Sequence, residues 1–150
     1  CAMYALLGDG DRALELLDQL PGRLKPNTMY REGGGPVIET PLSVVESINH
    51  LLLQSWGDVV RVFPAVPSKW KNVEYRDLLC EGAHLVSAKR VDGKTQSFEL
   101  IAGRAGEILV KTDIVNPKAN KQLTPVSKEG AFATYKVNLK KGEILQVKAD

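Results

Sequence analysis

The sequence predicts an α+β protein in which N-terminal helices are followed by an antiparallel β-sandwich. Before Trp56 the apolar residues recur every three or four positions, and after it they alternate with polar residues. The first spacing is typical of amphipathic helices and the second of half-buried strands. The charge changes at the same place: residues 1–55 hold four basic and seven acidic groups, net −3, and residues 56–150 hold 16 and 11, net +5. We therefore divide the chain into residues 1–55 and residues 56–150.

The composition is that of a folded domain. Of its 150 residues 43% are hydrophobic and 25% are charged, with a net charge of +2, so disorder, collagen and coiled coil are excluded. The charge is small and dispersed, and the apolar runs fall short of the roughly 18 residues that span a bilayer. We expect no nucleic-acid partner and no membrane partner.

A helix is predicted directly after the break Gly8-Asp9-Gly10-Asp11. Its apolar residues have helical spacing, and either Asp9 or Asp11 is suited to capping it. These apolar residues are Ala13, Leu14, Leu17 and Leu20. Residues 1–7 are predicted to end a preceding helix, so that the chain starts inside a helical hairpin and is cut from a longer protein.

A long loop from Pro21 to Gly35 is predicted next, because Pro, Gly, Asn and charged residues replace the periodic pattern. The second helix is expected to begin between Thr40 and Ser43, with Pro41 in its first turn and Ser43 and Glu46 as a capping box. Its apolar stripe, which needs a partner, is predicted to contain Val45, Ile48, Leu52 and Ser55, widened by Val44 and Leu51.

The remainder is predicted to be β-structure. Val59 to Pro67 is extended, and Asp92-Gly93 is suited to a type I′ turn joining Ala83–Arg90 to Thr95–Ile101. Lys141-Gly142 is predicted to join the last two strands in the same way. Together with the alternating run that begins at Ile108, these strands suffice for two antiparallel sheets. The predicted strand residues outside the first hairpin are Ile108, Val110, Thr112, Ile114, Tyr135, Val137, Leu139, Leu145 and Val147.

Most of the residues that could carry out chemistry have a structural explanation instead. Cys1 and Cys80 form no disulfide framework, and His50 and His84 lack metal-ligand spacing, so no metal and no cofactor is expected. The Gly33-Gly34-Gly35 run lacks the Lys and Ser or Thr of a phosphate loop. A Ser43, His50 and Glu39 triad is disfavoured, because one helix rarely supplies all three members.

Two kinds of residue leave a functional alternative open. Trp56 and Trp70 are suited to stacking on a sugar ring, although packing between the two parts of the chain is favoured. Glu39 lies between a glycine-rich loop and a helix, where its carboxylate either points into a cavity or stabilises the positive helix N-terminus. The pattern favours the second interpretation of Glu39.

Four segments resemble the C-terminal part of glycoside hydrolase family 95, the inverting α-L-fucosidases. They read MYALLGDGDRALELL, GGGPVIETPLS, INHLLLQSWGDVVRVFPAVPSKW and LLCEGAHLVSAKRVDGK. The resemblance covers most of residues 2–101 and implies that residues 1–55 are the last helices of an (α/α)6 barrel, partial here. It implies that residues 56–150 are the C-terminal β-sandwich domain.

The resemblance also implies a catalytic residue. The family has an Ile-Asp-Gly-Asn-Phe-Gly motif before its last barrel helix, with the Asp as general base, and Glu39 takes that place when counted back from LLLQS. Here Glu replaces Asp, and Thr40-Pro41-Leu42-Ser43 replaces Gly-Asn-Phe-Gly. The general acid belongs to the barrel upstream of this chain. The chain alone is therefore expected to be inactive.

The first hypothesis is thus a C-terminal fragment of a glycan-degrading enzyme, which meets its carbohydrate substrate through the missing barrel and is periplasmic or secreted by family analogy. Three helices cannot close a barrel, so self-association through the Val45, Ile48 and Leu52 stripe is expected. The alternative is a non-catalytic β-sandwich module that binds carbohydrate or supports a partner.

Overall fold

The computed structural model describes residues 1–19, 30–32 and 35–150. The chain forms two compact units. The helical unit contains Cys1–Leu52 and Ala65–Lys69, and the β unit contains Leu53–Pro64 and Trp70–Asp150. The protein is therefore α+β, and its membership of a barrel stays a prediction.

The helical unit contains helices α1 (Ala2–Leu6), α2 (Gly10–Leu17) and α3 (Glu39–Leu52) and a hairpin of β1 (Tyr30–Glu32) and β2 (Gly35–Val37). The prediction of a loop is therefore wrong at Tyr30–Glu32 and at Gly35, which belong to strands. Each strand has three residues, too few to show a recognisable alternation of polar and apolar side chains. The rest of that loop lies outside the described residues.

Helix α2 confirms the predicted apolar face, with Ala13, Leu14 and Leu17 buried; Leu20 lies outside the described residues. Of the two candidate caps, Asp9 accepts a hydrogen bond from the Arg12 N–H at 3.0 Å. Asp11 instead accepts from the Ser68 N–H at 2.6 Å. This second bond ties the segment Ala65–Lys69 to the start of α2.

Helix α3 begins earlier than predicted. Because Glu39 is its first residue, Ser43 lies in the second turn and the Ser43–Glu46 capping box is wrong. The Ser43 carbonyl accepts a hydrogen bond from Ser47 Oγ at 2.7 Å. Pro41 does lie in the first turn, where the missing N–H costs nothing.

The predicted apolar stripe of α3 is confirmed in part: Leu51 is buried and Val44, Ile48 and Leu52 are half-buried, whereas Val45 is 56% exposed. Ser55 lies beyond the end of the helix at Leu52. The polar Ser47 is buried on the same side of the helix as Leu51, four residues away.

The β unit contains two five-stranded sheets. The first, here called the mixed sheet, has the strand order β10-β11-β8-β4-β3, and the second, the antiparallel sheet, has the order β5-β6-β7-β12-β9. The strands are β3 (Leu53–Gln54), β4 (Val59–Val62), β5 (Val73–Cys80), β6 (His84–Val91), β7 (Lys94–Ile101), β8 (Gly106–Thr112), β9 (Lys118–Ala119), β10 (Thr124–Glu129), β11 (Phe132–Leu139) and β12 (Ile144–Lys148).

One predicted hairpin is confirmed and one is wrong. Asp92 and Gly93 both have positive φ, +50° and +73°, between the paired strands β6 and β7, as a type I′ turn requires. Lys141-Gly142 does not close a hairpin, because β11 is already paired on both sides, with β10 and β8. The chain therefore passes to the other sheet, where β12 pairs with β7 and β9.

The prediction of two antiparallel sheets is wrong for the mixed sheet, in which β4 runs parallel to β8. Each sheet buries the alternate residues of one face, as in a β-sandwich. The rings of Phe63 and Tyr75 meet edge to face at 5.1 Å, and Arg90 of β6 pairs with Asp113, which follows β8, at 2.8 Å. The buried strand residues are Leu53, Gln54, Val60, Val62, Ile108, Val110, Thr112, Thr134, Val137 and Leu139 of the mixed sheet and Tyr75, His84, Val86, Ala88, Thr95, Phe98, Leu100, Leu145 and Val147 of the antiparallel sheet.

Candidate functional site

Glu39 is the first residue of α3, and its side chain is exposed. A carboxylate in the first turn interacts favourably with the partial positive charge of the helix N-terminus. Its exposure leaves the carboxylate accessible to solvent. The role of Glu39 as a general base stays a prediction.

The disfavoured triad is not formed. Ser43 and His50 lie seven residues apart on α3, which is about 10 Å along the helix axis and too far for a hydrogen bond. His50 instead lies beside Glu46, with Nε2 and Oε1 3.7 Å apart. Of the candidate anion loop, Gly33 and Gly34 lie outside the described residues, and Gly35 begins β2.

His84 is a buried histidine at the start of β6. Its Nδ1 accepts a hydrogen bond from the Gly103 N–H at 3.1 Å. Burial lowers the pKa of His84, and the positive charge of Arg104 lowers it further. These contacts indicate a structural role in the neutral form.

Across residues 1–19, 30–32 and 35–150, no cluster of three or more His, Cys, Asp or Glu side chains is arranged to hold a metal ion. The helices of the same residues include none with the length and apolarity to cross a bilayer.

The two tryptophans differ in exposure. Trp70 is partly buried, whereas Trp56 is 50% exposed. The indole N–H of Trp56 donates to Gln54 Oε1 at 3.0 Å, and Gln54 is itself buried at the edge of the mixed sheet. Of the two, Trp56 is therefore the better candidate for contact with a ligand.

Arg61 supports the Trp56 ring. Its guanidinium carbon lies 3.7 Å from the ring centroid, which is a cation–π stack. The same side chain donates from Nη1 to the carbonyl of Trp56 at 2.6 Å and to that of Val59 at 3.0 Å. Partial burial lowers the pKa of Arg61, while the carboxylates of Glu129 and Glu81 raise it.

The residues beside Arg61 on the mixed sheet are polar. Arg61 is in register with Lys111 of β8, and Lys111 with Thr134 of β11, so the three share the outer face of the sheet. Lys111 forms an ion pair with Glu129, and its Nζ lies 6.0 Å from the Phe132 ring. We call Trp56, Arg61, Lys111 and Glu129 the Trp56 platform. It combines a half-exposed aromatic ring with the charged groups that surround Arg61.

Sequence reasoning identified Trp56 but missed Arg61 and Gln54. Alternation along β4 indicates that Arg61 lies on the outer face. The sequence carries no signal that the chain turns at Gly57 and Asp58, both with positive φ, to bring the indole over this arginine.

Comparisons with known proteins give little further information. The chain matches no protein-family model and no curated protein. It has weak structural similarity to a GH127 β-L-arabinofuranosidase from Geobacillus stearothermophilus T6, with a TM-score of 0.39 and 14% identity. That match covers 72% of this chain, which spans only 18% of the length of the arabinofuranosidase. Similarity of this strength assigns the chain to no family.

Proposed function

We propose that this chain is the C-terminal part of a glycoside hydrolase that resembles the inverting α-L-fucosidases of family 95, in which Glu39 is the general base. The observation that carries the proposal is the placement of Glu39. The segment that resembles the family's catalytic motif carries an exposed carboxylate, Glu39, at the first residue of a 14-residue helix.

The chemistry requires a second carboxyl group. In an inverting hydrolase one carboxylate activates a water molecule, and a carboxylic acid about 6.5–9.5 Å away protonates the leaving oxygen. In this proposal Glu39 is the first group, and the barrel upstream supplies the second. The 150-residue chain alone therefore hydrolyses nothing, and the complete enzyme acts on glycans outside the cytoplasm.

The test is the substitution Glu39→Gln in the complete enzyme, assayed on α-L-fucosides. Gln keeps the size of the side chain but cannot accept the proton of water, so turnover is expected to fall at least about a hundredfold. Glu46→Gln is the matched control, because Glu46 is an exposed carboxylate on the same helix. Near-normal turnover of the Glu39 variant would remove this residue from the mechanism.

The second candidate is a non-catalytic module. It is favoured by the half-exposed indole of Trp56, which no hydrolytic step explains. In this alternative the β unit contacts a carbohydrate, and the exposed apolar residues of α3, Leu42 and Val45, mediate self-association or the docking of a partner. Sedimentation of the 150-residue chain tests the association, since a clean monomer at high concentration would contradict it.

A further inference from the structure

We propose that the Trp56 platform is a saccharide subsite, in which the free face of the indole stacks on the apolar face of a neutral pyranose. The proposal rests on the carbohydrate class of the proposed function but not on the catalytic role of Glu39. The ligand is one sugar ring of a glycan, bound by the β unit alone.

The indole is held in place before any ligand arrives. The ring N–H is bonded to Gln54, one face of the ring is covered by the Arg61 guanidinium, and the Trp56 carbonyl accepts from the same guanidinium. Holding an aromatic ring in its bound orientation lowers the entropic cost of binding.

The exposed part of the indole has the chemistry to contact a sugar. Trp56 is 50% exposed although the Arg61 guanidinium covers one face of its ring, so we infer that the opposite face is the accessible one. A flat apolar surface of this kind matches the C–H face of a pyranose, whose hydroxyl groups project from its edge. Lys111 and Glu129, which are paired with each other, lie on the same side of the sheet as Arg61.

Arg61 also determines the charge of the ligand. A cation already occupies one face of the indole, so a second cation on the other face meets its repulsion. The platform should therefore discriminate against protonated amino sugars and against lysine or arginine side chains. A neutral sugar meets no such repulsion.

The experiment uses the ¹⁵N-labelled 150-residue chain, in which the two tryptophans give two indole N–H signals that Trp56→Phe assigns. Methyl β-D-galactopyranoside and methyl β-D-glucopyranoside are titrated to about 50 mM, since stacking of a single ring supports a Kd of about 10 mM. We expect a saturable shift of the Trp56 signal and an unmoved Trp70 signal. Galactosamine at pH 6 should bind at least about fivefold more weakly than the neutral galactoside.

Four variants separate the platform from general effects. Binding to the variants is followed by the backbone amide signals that move together with the Trp56 indole signal in the unaltered chain. Trp56→Ala should abolish these saturable shifts, and Arg61→Met should weaken binding several-fold, whereas Trp70→Phe and Arg76→Ala should leave it unchanged. Arg76 is the matched control because it is an exposed arginine of the same unit, paired with Glu74. A dispersed amide spectrum checks the folding of each variant. If Trp56→Ala fails to fold, Trp56→Phe replaces it, and its smaller aromatic face should weaken binding.

Three outcomes would overturn the proposal. The first is that neither sugar moves the Trp56 signal, and the second is that binding persists in Trp56→Ala. The third is that the Trp56 signal shifts with protein concentration in the absence of sugar, which would assign the platform to contact with a second copy of the chain. None of these outcomes bears on Glu39, whose role is tested by turnover.

Discussion

The Gly103 N–H donates to Nδ1 of the buried His84 at 3.1 Å, so this histidine is an acceptor within the fold. A protonated imidazole carries a hydrogen on Nδ1 and cannot accept this bond. The pKa of His84 lies below its ordinary value of 6.5, through burial first and the charge of Arg104 second. Folding therefore favours the neutral ring.

The first prediction is a loss of stability on acidification. Above pH 6.5 both states of the protein hold a neutral His84, whereas below pH 6.5 the unfolded chain binds the proton first. The free energy of unfolding should therefore fall as the pH drops from 6.5 toward the lowered pKa, by at most about 1.4 kcal/mol per pH unit for one proton. Urea unfolding at pH 7.5 and at pH 5.5 measures this change in the free energy of unfolding.

The matched variant for this prediction is His84→Gln. Gln at position 84 keeps an acceptor but does not titrate, so its unfolding free energy should vary less with pH than that of the unaltered protein. An unchanged pH dependence in His84→Gln would show that another group is responsible.

The second prediction concerns the thiol of Cys80. Burial raises its pKa to about 11, with a further contribution from the neighbouring Glu81 carboxylate. Only the thiolate reacts with alkylating agents, so at pH 8 Cys80 should react about a hundredfold more slowly than a thiol of pKa 9. Iodoacetamide labelling of the Cys1→Ser variant, native and in urea, measures the ratio; equal rates in the two states would contradict the prediction.

The third prediction concerns the ion pair of Arg90 and Asp113, whose side chains are each only 17% exposed and meet at 2.8 Å. Arg90→Met leaves the Asp113 carboxylate mostly buried without its cation and should cost about 3 kcal/mol in unfolding free energy. Arg76→Ala breaks an exposed pair with Glu74 and should cost less than about 1 kcal/mol. Similar costs for the two arginines would show that Asp113 is solvated in the folded protein.

The fourth prediction concerns the close approach at the start of α2. A Cβ at Gly10 would lie 1.9 Å from the Ala65 carbonyl oxygen, an atom of the backbone that cannot rotate away. Gly10→Ala should therefore destabilise the protein by about 2 kcal/mol or more despite the better helix propensity of Ala. Glu15→Ala, an exposed change in the same helix, is the control. A stabilised Gly10→Ala variant would disprove the contact.

Local signals in the sequence were sufficient for part of the fold. The Asp92-Gly93 pair predicted its hairpin because the required backbone conformation is a property of those two residues. Asp9 and Asp11 were both plausible caps, and the start of the helix at Gly10 decided between them, since it leaves Asp9 at the N-cap and places Asp11 in the first turn. The predicted start of α3 was too late, because Ser43 and Glu46 match the capping-box pattern although they lie inside the helix.

The sequence by itself determined the change from helices to strands, the alternation that buries Ile108, Val110 and Thr112, and the presence of Glu39 and Trp56 as candidates. These features depend on residue type and on periodicity within a few positions. The tertiary structure decided which sheet each strand joins, that β4 runs parallel to β8, and that Arg61 covers one face of Trp56. The first two arise from packing between segments distant in the chain, and the spacing of residues along one segment carries no record of its partner. The third depends on the turn at Gly57 and Asp58, whose direction the residue types do not specify.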